Sequence, residues 1–276
     1  MIIKKIRKVV VGVLIGANVA TILLMLVVGY AGRVSPISYP LLSNMSMLFP
    51  IFLIINFFFL VVWAFIKLRY VLLPLIGFAI CYGPVRTYMP INFESNVPED
   101  AIKVMSYNVW YFGRDAEFET SMKVPAYIAE ENADIVCLQE TDSRQAIQAG
   151  VAERLDGLYP HRDTIHSVGV GDVLALYSKY TIIKKERISY GESRRSAVAY
   201  HLDLGTDTLI VLNAHFQVSG LSSEDRKLLK NIVEGEVKRE DASAGSKQVF
   251  GKLAQAAKKR APQAKALAKF IENHKG

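Results

Sequence analysis

The chain has 276 residues, 51% of them hydrophobic, a formal net charge of +7 and two cysteines. Its mean hydropathy of +0.22 excludes one ordinary soluble domain with a polar surface, so the apolar excess must be concentrated in one region. Cys81 and Cys137 cannot build a disulfide framework or a cysteine-based zinc site, and both are expected to be buried and inert.

The excess lies before about residue 90. Residues 9–31 are apolar apart from Asn18 and Thr21, long enough to cross a bilayer core of about 30 Å. A cleaved signal peptide would share the basic start at Lys4, Lys5, Arg7 and Lys8, but its apolar stretch spans only about 7–15 residues. Further spans are expected at 47–66 and, after Lys67-Leu68-Arg69, at 70–89, where Pro74, Gly77 and Pro84 interrupt the run. Proline is tolerated there when neighbouring helices satisfy the freed carbonyls.

Basic residues crowd the N-terminus and the 67–69 turn, whereas the loop between the first two spans carries only Arg33. The positive-inside rule then puts the N-terminus in the cytoplasm of a multi-pass cell (inner) membrane, and three spans place the C-terminal domain outside, on the extracytoplasmic or periplasmic face. Residues 1–89 thus read as a membrane anchor with the lipid bilayer as partner.

Residues 90–101 mix proline with polar residues without a period and read as an exposed linker. Beyond it, strands are expected at 102–109, 134–139, 173–178, 196–204 and 208–214, with helices near 115–132, 143–155 and 223–239. Gly205-Thr206-Asp207 is a tight connection that argues for an antiparallel hairpin. From 246 onward, two basic amphipathic helices are expected on either side of Pro262. Their lysines fit a solvated face better than a nucleic-acid or lipid patch.

Polar groups recur where apolar strands stop: Asn108 after the first, Glu140 after the second, Asn213 and His215 at the last. Singly, each has a bland reading. Asn108 could sit in a turn, Glu140 could cap a helix, and His215 could be an ordinary loop histidine. Together, an amide, a carboxylate and an imidazole at strand ends could form a rim site with oxygen ligands for a hard cation.

Three strings, Lys103-Val104-Met105-Ser106-Tyr107-Asn108, Ala133-Asp134-Ile135-Val136-Cys137-Leu138-Gln139-Glu140 and Leu212-Asn213-Ala214-His215-Phe216, give residues 102–276 a resemblance to the endonuclease/exonuclease/phosphatase superfamily. This is the fold of deoxyribonuclease I and neutral sphingomyelinase. The segment 171–182 looks like that family's next core strand. The resemblance implies an α/β (α+β) four-layer sandwich, two mixed β-sheets packed face to face between helices. It further implies that Glu140, with Asn108, holds Mg2+ or Mn2+, that His215 hydrogen-bonds a phosphoryl oxygen, and that Asn213, Arg194 and Arg195 contact the substrate.

Two later motifs of that family, Gly-Asp-x-Asn and a terminal Asp-His pair, do not occur in this sequence. The expectation is therefore an incomplete domain, missing the C-terminal part of the sandwich and inactive alone. Its intact form would be a membrane-anchored, Mg-dependent phosphodiesterase or phosphatase acting on phosphoester bonds of nucleic acid or phospholipid. The alternative is a non-catalytic, membrane-bound binding or scaffold domain of the same fold.

Overall fold

The computed structural model describes residues 2–93, 96–113, 118–142, 146–147, 149–166, 173–190, 195–236 and 238–274. Two compact units emerge: Met1–Ser95 with Ser219–Ala261, and Asn96–Val218 with Pro262–Gly276.

In the first unit, α1 (Ile2–Tyr30), α2 (Pro40–Asn44), α3 (Phe49–Ile66), α4 (Leu72–Ile80) and α5 (Tyr82–Tyr88) follow one another. Two helical stretches, Ile2–Arg33 and Pro40–Ile66, are long and apolar enough to cross a membrane. The third span expected at 70–89 is not one continuous helix: Leu68–Ile80 and Tyr82–Tyr88 form a pair bent by 71°. Pro84 explains the break, because it offers no N–H to the carbonyl four residues back and its ring crowds that carbonyl. That carbonyl belongs to Ile80, and the Tyr30 hydroxyl of α1 donates to it at 2.8 Å.

A buried polar clasp links the same helices. Asn18 donates to Asn56 at 3.3 Å, Asn56 to the Pro74 carbonyl at 3.0 Å, and the Trp63 indole to Asn18 at 3.0 Å. Gly77 permits the approach, since a Cβ there would meet Ile22 Cγ1 at 3.0 Å and Asn56 Nδ2 at 3.1 Å. Small residues at such crossings let backbones come close enough for side chains to bond across them.

The second unit carries β1 (Val104–Asn108), α6 (Phe118–Glu131), β2 (Ile135–Thr141), α7 (Val151–Leu155), β3 (His161–His166), β4 (Val173–Ser178), β5 (Thr181–Ser189), β6 (Ser196–Asp203) and β7 (Thr208–Ala214). After it come α8 (Ser223–Glu234) and α9 (Arg239–Asn273). One sheet has the order β1-β2-β4-β3, with β1 and β2 parallel and the other pairs antiparallel. The other, β5-β6-β7, is antiparallel throughout, so among the described residues only the first sheet is mixed.

Strand alternation builds the layers. Val136 and Leu138 of β2 pack with Ile128, Val151 and Leu155 of the helices, while Ile135 and Cys137 pack with Val198, Tyr200 and Leu202 of β6. On the far side of β6, Ala197 and Ala199 meet Ala266, Leu267 and Phe270 of α9. Helices, mixed sheet, antiparallel sheet and helix thus form four layers.

β3 and β5 were not expected as separate strands. Alternating exposure on β3, where His161, Asp163 and Ile165 are half-buried and Arg162 exposed, gives it one weak apolar face. The hairpin expected at 205–207 forms, with Asp203 paired to Thr208 and Gly205 at φ 86°, a region where glycine alone is unstrained. The two tail helices expected around Pro262 are one helix, α9. Of the other expectations, parts of the 115–132, 143–155 and 171–182 segments, and residues 94–95 of the linker, lie outside the described residues. The described linker residues 91–93 and 96–101 are exposed.

Candidate active site

Glu140 sits on a β-bulge. Leu138 pairs with Ala175 and Thr141 with Val173, so β2 spends three steps where β4 spends two. The extra residue is accommodated by Glu140 at φ 54°, a left-handed conformation unfavourable for a residue with a Cβ. Its even-numbered predecessors, Val136 and Leu138, face the helices. The bulge breaks that alternation and brings the Glu140 carboxylate 3.3 Å from His215 Nε2.

His215 follows the last residue of β7. Leu209 and Val211 line the inter-sheet core, and the same parity carries Asn213 and then His215 along the inner face. The Arg195 guanidinium lies 2.7 Å from His215 Nδ1. Arginine has donors only, so Nδ1 accepts, and the neutral imidazole carries its proton on Nε2, directed at Glu140. The His215 and Glu140 side chains are 11% and 14% exposed, which strengthens these contacts relative to water-exposed pairs.

Asn108 ends β1 beside Gln139, its parallel register partner. It is exposed, and its Oδ1 accepts from the Trp110 backbone N–H at 3.0 Å. Asn213 is instead 1% exposed. Its amide donates to the Leu138 and Ala175 carbonyls at 3.1 and 3.0 Å and accepts from Gln139 at 2.8 Å. Asn213 therefore bolts β7 to β2 and β4 beneath the site. Gln139 was missed by the sequence reading, although a polar residue directly after the apolar run Ile135-Val136-Cys137-Leu138 is a signal for such an inter-sheet bond. Arg194 lies outside the described residues.

Both cysteines are buried. Burial pushes the Cys137 thiol up to about 12, so it carries no thiolate near neutral pH. Asp134, in the same string as Glu140, accepts from the Lys103 backbone N–H at 2.8 Å and from Lys179 at 3.1 Å. The backbone bond first, and Lys179 after it, hold its carboxyl below the usual range.

The family model described as Endonuclease/Exonuclease/phosphatase family matches residues 105–272. The chain belongs to this family. A second model, a domain of unknown function (DUF8431), matches residues 8–88.

Among solved members of the fold, truncated Caenorhabditis elegans TDP2 is 21% identical with a TM-score of 0.36, over 46% of this chain and 49% of that one. An endonuclease/exonuclease/phosphatase family protein from Leptotrichia buccalis C-1013-b is 14% identical with a TM-score of 0.36, over 50% and 64%. ANGEL2, a 2',3'-cyclic phosphatase, is 18% identical with a TM-score of 0.36, over 46% and 44%. The chain spans about half the length of these relatives. No curated protein matches it.

Proposed function

We propose that this chain is a membrane-anchored, metal-binding phosphoesterase-type protein of the endonuclease/exonuclease/phosphatase family, directed at phosphoester bonds of nucleic acid or phospholipid. The observation that carries the reading is the convergence of Glu140, His215 and Arg195, from three separate strand ends, at 3.3 and 2.7 Å.

Among the described residues no group of three or more His, Cys, Asp or Glu side chains gathers to hold a metal. One carboxylate with an amide suits Mg2+ or Mn2+, which keep several waters, and does not suit a zinc cage. Glu140 and Asn108 would hold that ion, which supplies charge neutralisation at the scissile phosphate. His215 donates from Nε2 to a phosphoryl oxygen, and Arg195 holds the imidazole while adding positive charge where the transition state gathers negative charge. No residue is assigned as general base.

The path of the first unit supports placing this site on the membrane face opposite the N-terminus. Trp63, near the basic 67–69 turn, packs in a tilted arrangement against Tyr70, with ring centroids 5.0 Å apart. The chain then meets Asn56 at Pro74, packs Cys81 with Phe49 and Val28, and ends with the Tyr88 hydroxyl on the Ser46 carbonyl at 2.5 Å. Ser46 precedes α3 and Lys67 follows it, so the bent pair climbs the whole length of α3 and does not return. A re-entrant loop would bring Tyr88 back to the level of Lys67.

Mn2+ binding by the detergent-solubilised chain, read by electron paramagnetic resonance beside Glu140→Ala, tests the site. Binding that Mg2+ displaces and Glu140→Ala removes is expected; equal binding by both proteins would refute it. Hydrolysis of bis-p-nitrophenyl phosphate, expected to be slow or absent without the Gly-Asp-x-Asn and Asp-His motifs, separates the enzyme from a binding domain. Turnover abolished by Glu140→Ala would show that these residues suffice. A reporter inserted in the linker should be protected from cytoplasmic protease.

A further inference from the structure

The chain leaves the first unit beside the start of α3. Tyr88, the last residue of α5, packs its ring against Phe49 with centroids 5.2 Å apart, and Phe49 opens α3 and is fully buried. The end of α1 lies at the same level, since a Cβ on Gly29 would meet the Phe49 ring at 2.9 Å. There the Tyr30 hydroxyl reaches the Ile80 carbonyl, and the Arg33 guanidinium lies 4.6 Å over the Tyr30 ring. Tyrosine and arginine at the end of apolar helices long enough to span are the composition of the headgroup layer, where an amphipathic ring meets both lipid and water.

Past Tyr88 the chain does not depart. Fully extended, residues 89–92 would carry it about 13 Å beyond α5. Arg86 keeps them beside the last turn of that helix instead, donating to the Ile91 carbonyl and, at 3.5 Å, to Asn92 Oδ1. With the backbone held in this way, Met89, Ile91 and Phe93 are left 54%, 62% and 90% exposed. Three large apolar side chains within five positions form a patch of the kind that marks contact with another apolar phase.

We infer that residues 89–93 are an interfacial anchor: Met89, Ile91 and Phe93 enter the headgroup–acyl boundary of the bilayer that α1 and α3 cross, and Arg86 holds the segment at that depth. The inference rests on the membrane-anchor reading and goes beyond it, because the stretch from residue 90 was expected to be a solvated linker. Continuity selects the occupant. The patch begins one residue after Tyr88, which is fixed at the end of α3, and apolar side chains at that level reach about 5–10 Å into the boundary. Arginine suits the position, since its stem lies along apolar surface while its planar head bonds two acceptors at once. The tether to β1 then starts from the lipid surface and not from free solution.

The experiment uses the full chain in phosphatidylcholine nanodiscs with a nitroxide on one introduced cysteine, Met89→Cys or Phe93→Cys. Cys81 and Cys137 are buried, and wild type treated alike gives the background. Collisions with oxygen, which concentrates in lipid, and with a water-soluble nickel chelate read the phase around the label. Phe57→Cys, in the middle of α3 and 59% exposed, and Glu99→Cys, on the exposed linker, give the hydrocarbon and water references. Carrying the same nitroxide, they also control for its own affinity for lipid. Labels at 89 and 93 are expected to meet oxygen more and nickel less than the label at 99. Arg86→Ala is expected to raise nickel contact at 93 to the level at 99, with the Phe57 label still in hydrocarbon to show that the helices remain inserted.

Nickel contact at 89 and 93 equal to that at 99, with the Phe57 label in hydrocarbon, overturns the anchor and leaves the membrane reading intact. A Phe57 label as open to nickel as the one at 99 overturns both. Labels at 89 and 93 shielded from oxygen and nickel alike are covered by protein, which also overturns the anchor. Unchanged depth at 93 in Arg86→Ala overturns the part given to Arg86.

Discussion

Replacing Glu140 by glycine should leave the second unit more stable than replacing it by alanine, the reverse of the usual order in a strand. Both variants lose the 3.3 Å contact with His215, so that loss cancels between them. What differs is the backbone at φ 54°. Alanine there bears a left-handed cost of about 1–2 kcal/mol, while glycine avoids it but gives up about 0.4–1 kcal/mol through its freer unfolded chain. The difference is about 0.5–1 kcal/mol in favour of glycine, or roughly 1–4 °C in Tm at about 2–4 °C per kcal/mol for a unit of this size.

Differential scanning calorimetry of the full chain in detergent measures it. Arg187, exposed on β5 and without positive φ, serves as the control, where glycine should be worse than alanine by about 0.5–1 kcal/mol. If Glu140→Ala proves as stable as Glu140→Gly, the bulge does not hold Glu140 in the left-handed region. The account of how the carboxylate reaches His215 would then be wrong.

Asn213→Leu should cost about 3 kcal/mol or more in denaturant unfolding, because the Leu138 and Ala175 carbonyls and the Gln139 amide lose their partner in the dry space between the sheets. A purely substrate-binding role would leave stability unchanged. Selective nitrogen-15 labelling of the five histidines should show the His215 Nδ1 resonance moved by Arg195→Leu, which removes the 2.7 Å contact, with the other four unchanged. In the membrane unit, Asn56→Leu removes two interhelical bonds and should cost about 1 kcal/mol in detergent-denaturation assays, at about 0.6 kcal/mol per bond; no loss would mean the clasp is unformed in lipid. Asp134 is held below its unfolded value of about 3.9, by the Lys103 N–H first and then by Lys179. Its contribution is therefore present above about pH 4 and lost as pH falls through the lowered value, and acid titration of stability should flatten in that window in Asp134→Asn.

The sequence by itself determined the two long apolar helices and most strands, because both follow from local pattern; that Ser219–Ala261 groups with Met1–Ser95 was not legible in it. Runs such as 47–66 are apolar at every position, and β2, β4, β6 and β7 carry enough β-branched and aromatic residues to declare themselves. Its strings also pointed to Glu140 and His215, and to Asn108, at the register position beside Gln139, while the resemblance they carry offered Arg194 and Arg195; the structure brings Glu140, His215 and Arg195 together. What it left open was side-chain direction. Asn213 and His215 are two residues apart on one strand face, yet one is sealed between sheets and the other reaches past their end. Only the packing of β7 against β2 and β4 separates a structural bolt from a candidate catalytic group. The bend at Cys81 shows the same division: Pro84 is visible in the sequence, but the Tyr30 hydroxyl that satisfies the freed Ile80 carbonyl lies fifty residues away. Tertiary structure likewise decided the Glu140 bulge, because register and φ depend on what the neighbouring strand and core require, and no local pattern records them.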